Sequence, residues 1–73
     1  MTLIQVKPRL MDILKMRQMT QMKLSELSKV PQGSISRFDS RKNHDANHVF
    51  SIAHALNLNV EDLFEIIEEP TDT

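Results

Sequence analysis

Gln32, Gly33, Ser34 and Arg37 carry the side-chain chemistry most in need of explanation in this chain. None is a nucleophile beside a base. What they offer is directional hydrogen bonding. A glutamine amide can bind adenine N6 and N7 together, and a guanidinium can bind guanine O6 and N7 together. Ser34 adds a short hydroxyl. Gly33, the only glycine in the chain, reads nothing itself but lets a backbone approach closely. Taken alone, these residues are more simply the polar face of a surface helix. The elements that hold them must decide.

Those elements lie in Thr20 to Asp39, TQMKLSELSKVPQGSISRFD. Leu24, Val30, Ile35 and Phe38 fall on one side, leaving Gln21, Gln32, Ser34 and Arg37 free. The spacing predicts a helix from Gln21 to Ser28, capped by Thr20. A tight turn follows, then a helix from about Pro31 or Gln32 to near Asp39. Two short helices with one buried seam and an exposed second helix form a helix-turn-helix, whose second helix enters the DNA major groove.

At this point the chain resembles the Cro-repressor-type helix-turn-helix proteins, the lambda-repressor-like or XRE family. The matching residues are Thr20-Gln21, Leu24, Val30, Gln32, Ile35-Ser36-Arg37 and Asp39, then Ile52-Ala53-His54-Ala55-Leu56 and Val60-Glu61-Asp62-Leu63-Phe64. The likeness covers roughly residues 7–66. It implies direct base readout at Gln32, Gly33 and Arg37, with Ser34 beside them. It also implies an all-α fold: a compact five-helix lambda-repressor-like domain, with room for a short two-stranded ribbon joining the termini.

The chain departs from the family pattern at four positions. Lys29 stands where glycine is usual and the backbone tends to be left-handed, at a cost of about 1 kcal/mol. Ser25 replaces an alanine at the helix crossing and fits if its hydroxyl finds a backbone carbonyl. Pro31 replaces a Ser or Thr cap and offers no capping oxygen. Leu14 replaces an arginine that usually pairs with the acid at Asp39, so Asp39 is expected to find Arg17, Lys42 or water.

The remaining elements follow from pattern. Pro8 suits a helix's first turn, and Leu10, Ile13 and Leu14 recur at helical spacing, so helix 1 is expected over 8–17. Val49, Ile52, Ala53 and Leu56 make a fourth helix, capped by Asp45 and stopped at Asn57. Asn59 is expected to cap a fifth helix that buries Val60, Leu63, Phe64 and Ile67. Residues 1–6 could be a loose arm or a short strand against Phe64-Glu65-Ile66-Ile67. The domain would then span 7–67, with the helix-turn-helix at 20–39 and an acidic, frayed tail at 68–73.

Seventy-three residues allow one small domain and no walled enzyme cleft. With no cysteine there is no disulfide, no thiolate zinc site and no thiol nucleophile, which fits a reducing cytoplasm. Neither a membrane-length apolar run nor a signal peptide is visible. His44 and His48 are four apart, but His44 precedes its helix and no third ligand is assured, so no metal or cofactor is expected. No enzyme signature is present.

The net charge of −1 looks poor for a nucleic-acid partner, but its distribution does not. All nine Lys and Arg lie in residues 1–60 against four acids, a net of +5, while residues 61–73 carry −6. A basic body fits phosphates, with the acidic end held away. Phosphate contacts are expected from Gln21, Ser36, Arg41, Lys42 and Asn43.

The resulting expectation is a sequence-specific regulator of prokaryotic or phage type that binds an operator in double-stranded DNA, in the cytoplasm and at the nucleoid. It would repress by occupancy and act as a homodimer through Phe64, Ile66 and Ile67, a surface that could extend to the N-terminal Leu3 and Ile4. These same residues could instead only close the core. The rival is a protein-interaction module of the same fold, antitoxin-like or antirepressor-like, whose working surface is the acidic C-terminal stretch.

Overall fold

A computed structural model describes residues 2–70, and the side chains of residues 3–68. Four α-helices and a two-stranded antiparallel sheet make up the fold. In chain order these are β1 (Thr2–Pro8), α1 (Leu10–Met16), α2 (Gln21–Ser28), α3 (Gln32–Ser36), α4 (Ala46–Leu56) and β2 (Phe64–Pro70). Short 3-10 turns at Phe38–Ser40 and Val60–Leu63 complete it.

The core is one cluster to which every helix contributes. Leu10, Ile13 and Leu14 come from α1, Leu24 from α2 and Ile35 from α3. Val49, Ile52, Ala53 and Leu56 come from α4, and Val30, Phe38 and Leu63 from the connections. These are the apolar positions at helical spacing in the sequence. Their burial, at roughly 1.5–3 kcal/mol per large aliphatic side chain, is the main force holding helices too short to persist alone.

The expected five helices are corrected to four, while the two-stranded ribbon joining the termini, for which the sequence left room, is present. Val60–Leu63 makes a single 3-10 turn, closed by the Asp62 carboxylate accepting from the Asn59 N–H at 3.0 Å. Only Leu63 of that turn is buried. The chain then extends, because β1 lies beside Phe64-Glu65-Ile66-Ile67 and pairs with it, and the two β-branched isoleucines suit a strand. The register pairs Val6 with Ile66, Gln5 with Ile67, Lys7 with Glu65 and Pro8 with Phe64. Ile67 is therefore not on a buried helix face. The strand runs through Pro70, three residues into the stretch expected to fray. Residues 71–73 of that acidic tail lie outside the described residues.

Helix 1 also starts later than its proline suggests. Pro8 ends β1, and the Arg9 N–H continues the ladder to the Leu63 carbonyl at 2.9 Å, which holds Arg9 out of the helix. The free amides at the start of α1 are met instead by Asp39. Its carboxylate accepts from Leu10 N–H at 2.8 Å and Met11 N–H at 3.0 Å. This corrects the expectation that Asp39 pairs with Arg17, Lys42 or water. Arg17 donates from Nη1 to the Leu56 carbonyl at 2.6 Å, placing a cation at the C-terminus of α4.

The ribbon gives the molecule its length. The Cα radius of gyration is 13.4 Å and the long axis 46 Å. A compact chain of this size would have a radius of about 11 Å. The two strands account for the excess, since seven extended residues reach about 23 Å.

Candidate nucleic-acid interface

The surface of α3 is set by the turn before it. Lys29 takes the left-handed conformation, with φ 65°, and its N–H closes on the Ser25 carbonyl at 2.9 Å. The Ser25 hydroxyl donates to the Val30 carbonyl at 2.6 Å, so the small polar residue at the crossing is satisfied. Ser28, itself buried, donates to the Leu24 carbonyl at 2.7 Å and accepts from Val30 N–H at 3.2 Å. A turn without glycine is thus built by two serines that satisfy its backbone groups. Thr20 caps α2, its hydroxyl accepting from Lys23 N–H at 3.1 Å.

Pro31 precedes α3 with no side-chain cap, and its carbonyl accepts from the amides of Ser34 and Ile35. Of the five residues of α3 only Ile35 is buried. Gln32, Gly33, Ser36 and the following Arg37 are exposed, and Ser34 is half-buried. Gly33 has nothing within 4 Å of where a Cβ would stand. The fold does not require glycine there, so the gap it leaves lies on the outer surface. Ser36 donates its hydroxyl to the Gly33 carbonyl at 3.0 Å, which occupies its proton within the helix.

The loop after α3 is pinned by His44. Its ring lies 4.3 Å from the Phe38 ring and 5.8 Å from that of Phe64, and Nε2 donates to the Phe38 carbonyl at 2.6 Å. This engagement holds Arg41, Lys42 and Asn43 outward, all three exposed. A hollow of about 230 Å³ brings Ser34 together with Arg41, Asn43 and His48, at the start of α4. Asp45 caps that helix, accepting from Asn47 N–H at 2.8 Å. His48, which the sequence offers only at a metal-ligand spacing from His44, joins this polar hollow instead. The sequence clue is its place three residues after the Asp45 cap, in the first turn of α4.

Gln21 stands apart from this hollow. It is half-buried, and its amide donates to the Met11 sulfur at 3.3 Å. The three residues expected at a dimer contact are not equivalent. Phe64 is half-buried, with its ring 5.8 Å from Phe38. Ile66 and Ile67 are 48% and 36% exposed, and as neighbours on a strand they point to opposite faces. Among the described residues no three His, Asp or Glu side chains gather as a metal site, and no helix is long and apolar enough to cross a membrane.

Comparison with known proteins adds one result. The family model described as a Cro/C1-type HTH DNA-binding domain matches residues 9–69. No curated protein and no solved structure matches the chain.

Proposed function

The chain belongs to the Cro/C1-type helix-turn-helix DNA-binding family, and on that premise we propose that it is a sequence-specific transcriptional regulator that represses by occupying an operator. The observation that carries this reading is the one-residue anchorage of α3. Ile35 alone holds it to the core, and Gln32, Gly33 and Arg37 face outward. With α3 in the major groove, Gln32 pairs with an adenine and Arg37 with a guanine, each worth about 1–3 kcal/mol of discrimination. Gly33 lets the helix backbone sit close to the base edges, and Ser34 borders them.

Arg41, Lys42 and Asn43 then meet phosphates from the loop, and Gln21 from the start of α2. Such contacts fix register and affinity rather than sequence. Ser36 is a weaker phosphate donor than its position suggests, because its proton is already committed to Gly33. A single domain of this size reads few bases. A homodimer on a two-fold operator doubles them, with half-sites about 34 Å apart.

Selection from random duplex DNA followed by footprinting tests the reading. The expected result is a palindromic site protected over two adjacent turns. Recovery of no preferred sequence, with affinity independent of salt, would remove it.

A further inference from the structure

We propose that the outer edge of β1 pairs with β1 of a second copy, antiparallel, on a two-fold axis through Ile4. This rests on the homodimer reading above and says which surface makes it.

The direction of each backbone group follows from one hydrogen bond. Arg9 N–H donates to the Leu63 carbonyl, the step after Pro8–Phe64 in the register. Antiparallel pairs alternate between bonded and non-bonded. Lys7, Gln5 and Leu3 therefore spend their backbone groups on β2, whereas Val6, Ile4 and Thr2 point theirs outward. Both prolines of the ribbon, Pro8 and Pro70, fall at outward positions, where no N–H is needed. The amide of Phe64, also outward, is taken by the Glu61 carbonyl.

The two edges differ in charge. β2 carries Glu65, Glu68 and Glu69, so pairing it with itself would set glutamates against glutamates. From Thr2 to Val6, β1 carries no charge at all. Edge strands are ordinarily guarded by charge, proline or distortion; β2 is guarded by its glutamates, whereas on β1 the guards Lys7 and Pro8 stand only at its end and Thr2 to Val6 is open. A pairing of β1 with β2 of another copy would not close and would propagate.

The side chains agree with the backbone. Ile4, Val6 and Ile66 share one face by register and are 59%, 58% and 48% exposed. An isolated two-stranded ribbon is marginal in water, and adding strands stabilises it. With the axis at Ile4, Ile4 meets Ile4 of the second copy and Thr2 meets its Val6. Every outward amide from Thr2 to Val6 then finds a carbonyl. The shared face is apolar along β1 and at Ile66 and continues across a four-stranded sheet, with Glu68, opposite Ile4 in the register, bounding it on the β2 side.

The chain has no cysteine, so single cysteines report pairing directly. In the full chain, Ile4→Cys should form a disulfide-linked dimer on mild oxidation, and Glu68→Cys, on the β2 edge, should not. Ile4→Lys places like charges on the axis and should weaken dimerisation at least tenfold by sedimentation, with its circular dichroism unchanged. In the unaltered protein, amide exchange at Ile4 and Val6 should slow at least tenfold as concentration carries it into the dimer. A dimer in which those two amides still exchange freely, or in which Glu68→Cys cross-links instead, overturns the β1 pairing and leaves the homodimer standing. A protein that is monomeric at every concentration and on its selected DNA overturns both.

Discussion

The Asp39 carboxylate caps α1 through Leu10, accepting that residue's N–H at 2.8 Å from a position 29 residues further along the chain. Its other oxygen takes Met11 N–H at 3.0 Å. One side chain thus fastens the turn that follows α3 to the first helix of the domain. It places negative charge where the α1 dipole is positive. Replacing it with alanine leaves two helix-start amides without that acceptor, so Asp39→Ala should destabilise the fold by about 2 kcal/mol. In a chain of this size that is a fall in melting temperature of about 10 °C. Asp39→Asn keeps an oxygen acceptor and should lose roughly half as much. A melt of Asp39→Ala indistinguishable from the parent would mean the cap contributes nothing.

Lys29 is a second place where backbone geometry sets stability. Its φ of 65° is left-handed, a conformation costing a side-chain-bearing residue about 1 kcal/mol. Lys29→Gly removes that strain, at some expense in the greater freedom of the unfolded chain. A net gain of about 0.5 kcal/mol, read as a rise of roughly 2–4 °C in the melt, is expected. A lower melting temperature would show that the lysine makes a contact worth more than the strain.

These two residues also show what was legible in the sequence. The helix pair was, because its signals are local, although α3 ends at Ser36 rather than near Asp39 and the chain passes into the 3-10 turn Phe38–Ser40. Leu24, Val30, Ile35 and Phe38 form the buried seam, α2 spans the expected residues, and Lys29 is left-handed as its position implies. Asp39's partner was not legible, since its cap joins residues far apart in sequence and leaves no mark in spacing. The fifth helix failed for a related reason. Val60 to Leu63 has helical spacing, but whether it continues depends on β1 arriving beside Phe64, a long-range pairing. Pro8 misled because a helix start and the end of an edge strand both tolerate a residue without an N–H. At the proposed DNA face the residue types offer groups able to read bases, and the structure adds that Ser36 and Gln21 already have partners inside the domain.

Gly33 separates folding from binding. Because a Cβ at this position meets nothing within 4 Å, Gly33→Ala should gain helix propensity without strain. The gain is up to about 1 kcal/mol, measured as a higher melting temperature. If α3 lies against base edges as proposed, the added methyl intrudes where the backbone must come close, and operator affinity should drop about tenfold, or about 1.4 kcal/mol. A stabilised variant that binds its operator as tightly as the parent would place the DNA contact elsewhere on the helix.

The exposed polar residues should divide into two classes when binding is measured against both sequence and salt. Gln32 and Arg37 lie on the outer face of α3, so Gln32→Ala and Arg37→Ala should each lose about 1–3 kcal/mol on the preferred site and relax the preference at one base pair. Arg41 and Lys42 sit on the loop held by His44 and on the proposed reading meet only phosphate. Arg41→Ala and Lys42→Ala should therefore weaken binding to all sequences alike, each making the slope of log affinity against log salt shallower by about 1. All four side chains are exposed, so their melts should stay within about 0.5 kcal/mol of the parent. Titrations of the preferred duplex and a scrambled duplex at several salt concentrations give both quantities from one data set. If the α3 variants lost affinity uniformly and the loop variants changed base preference, the loop rather than α3 would be the reading element.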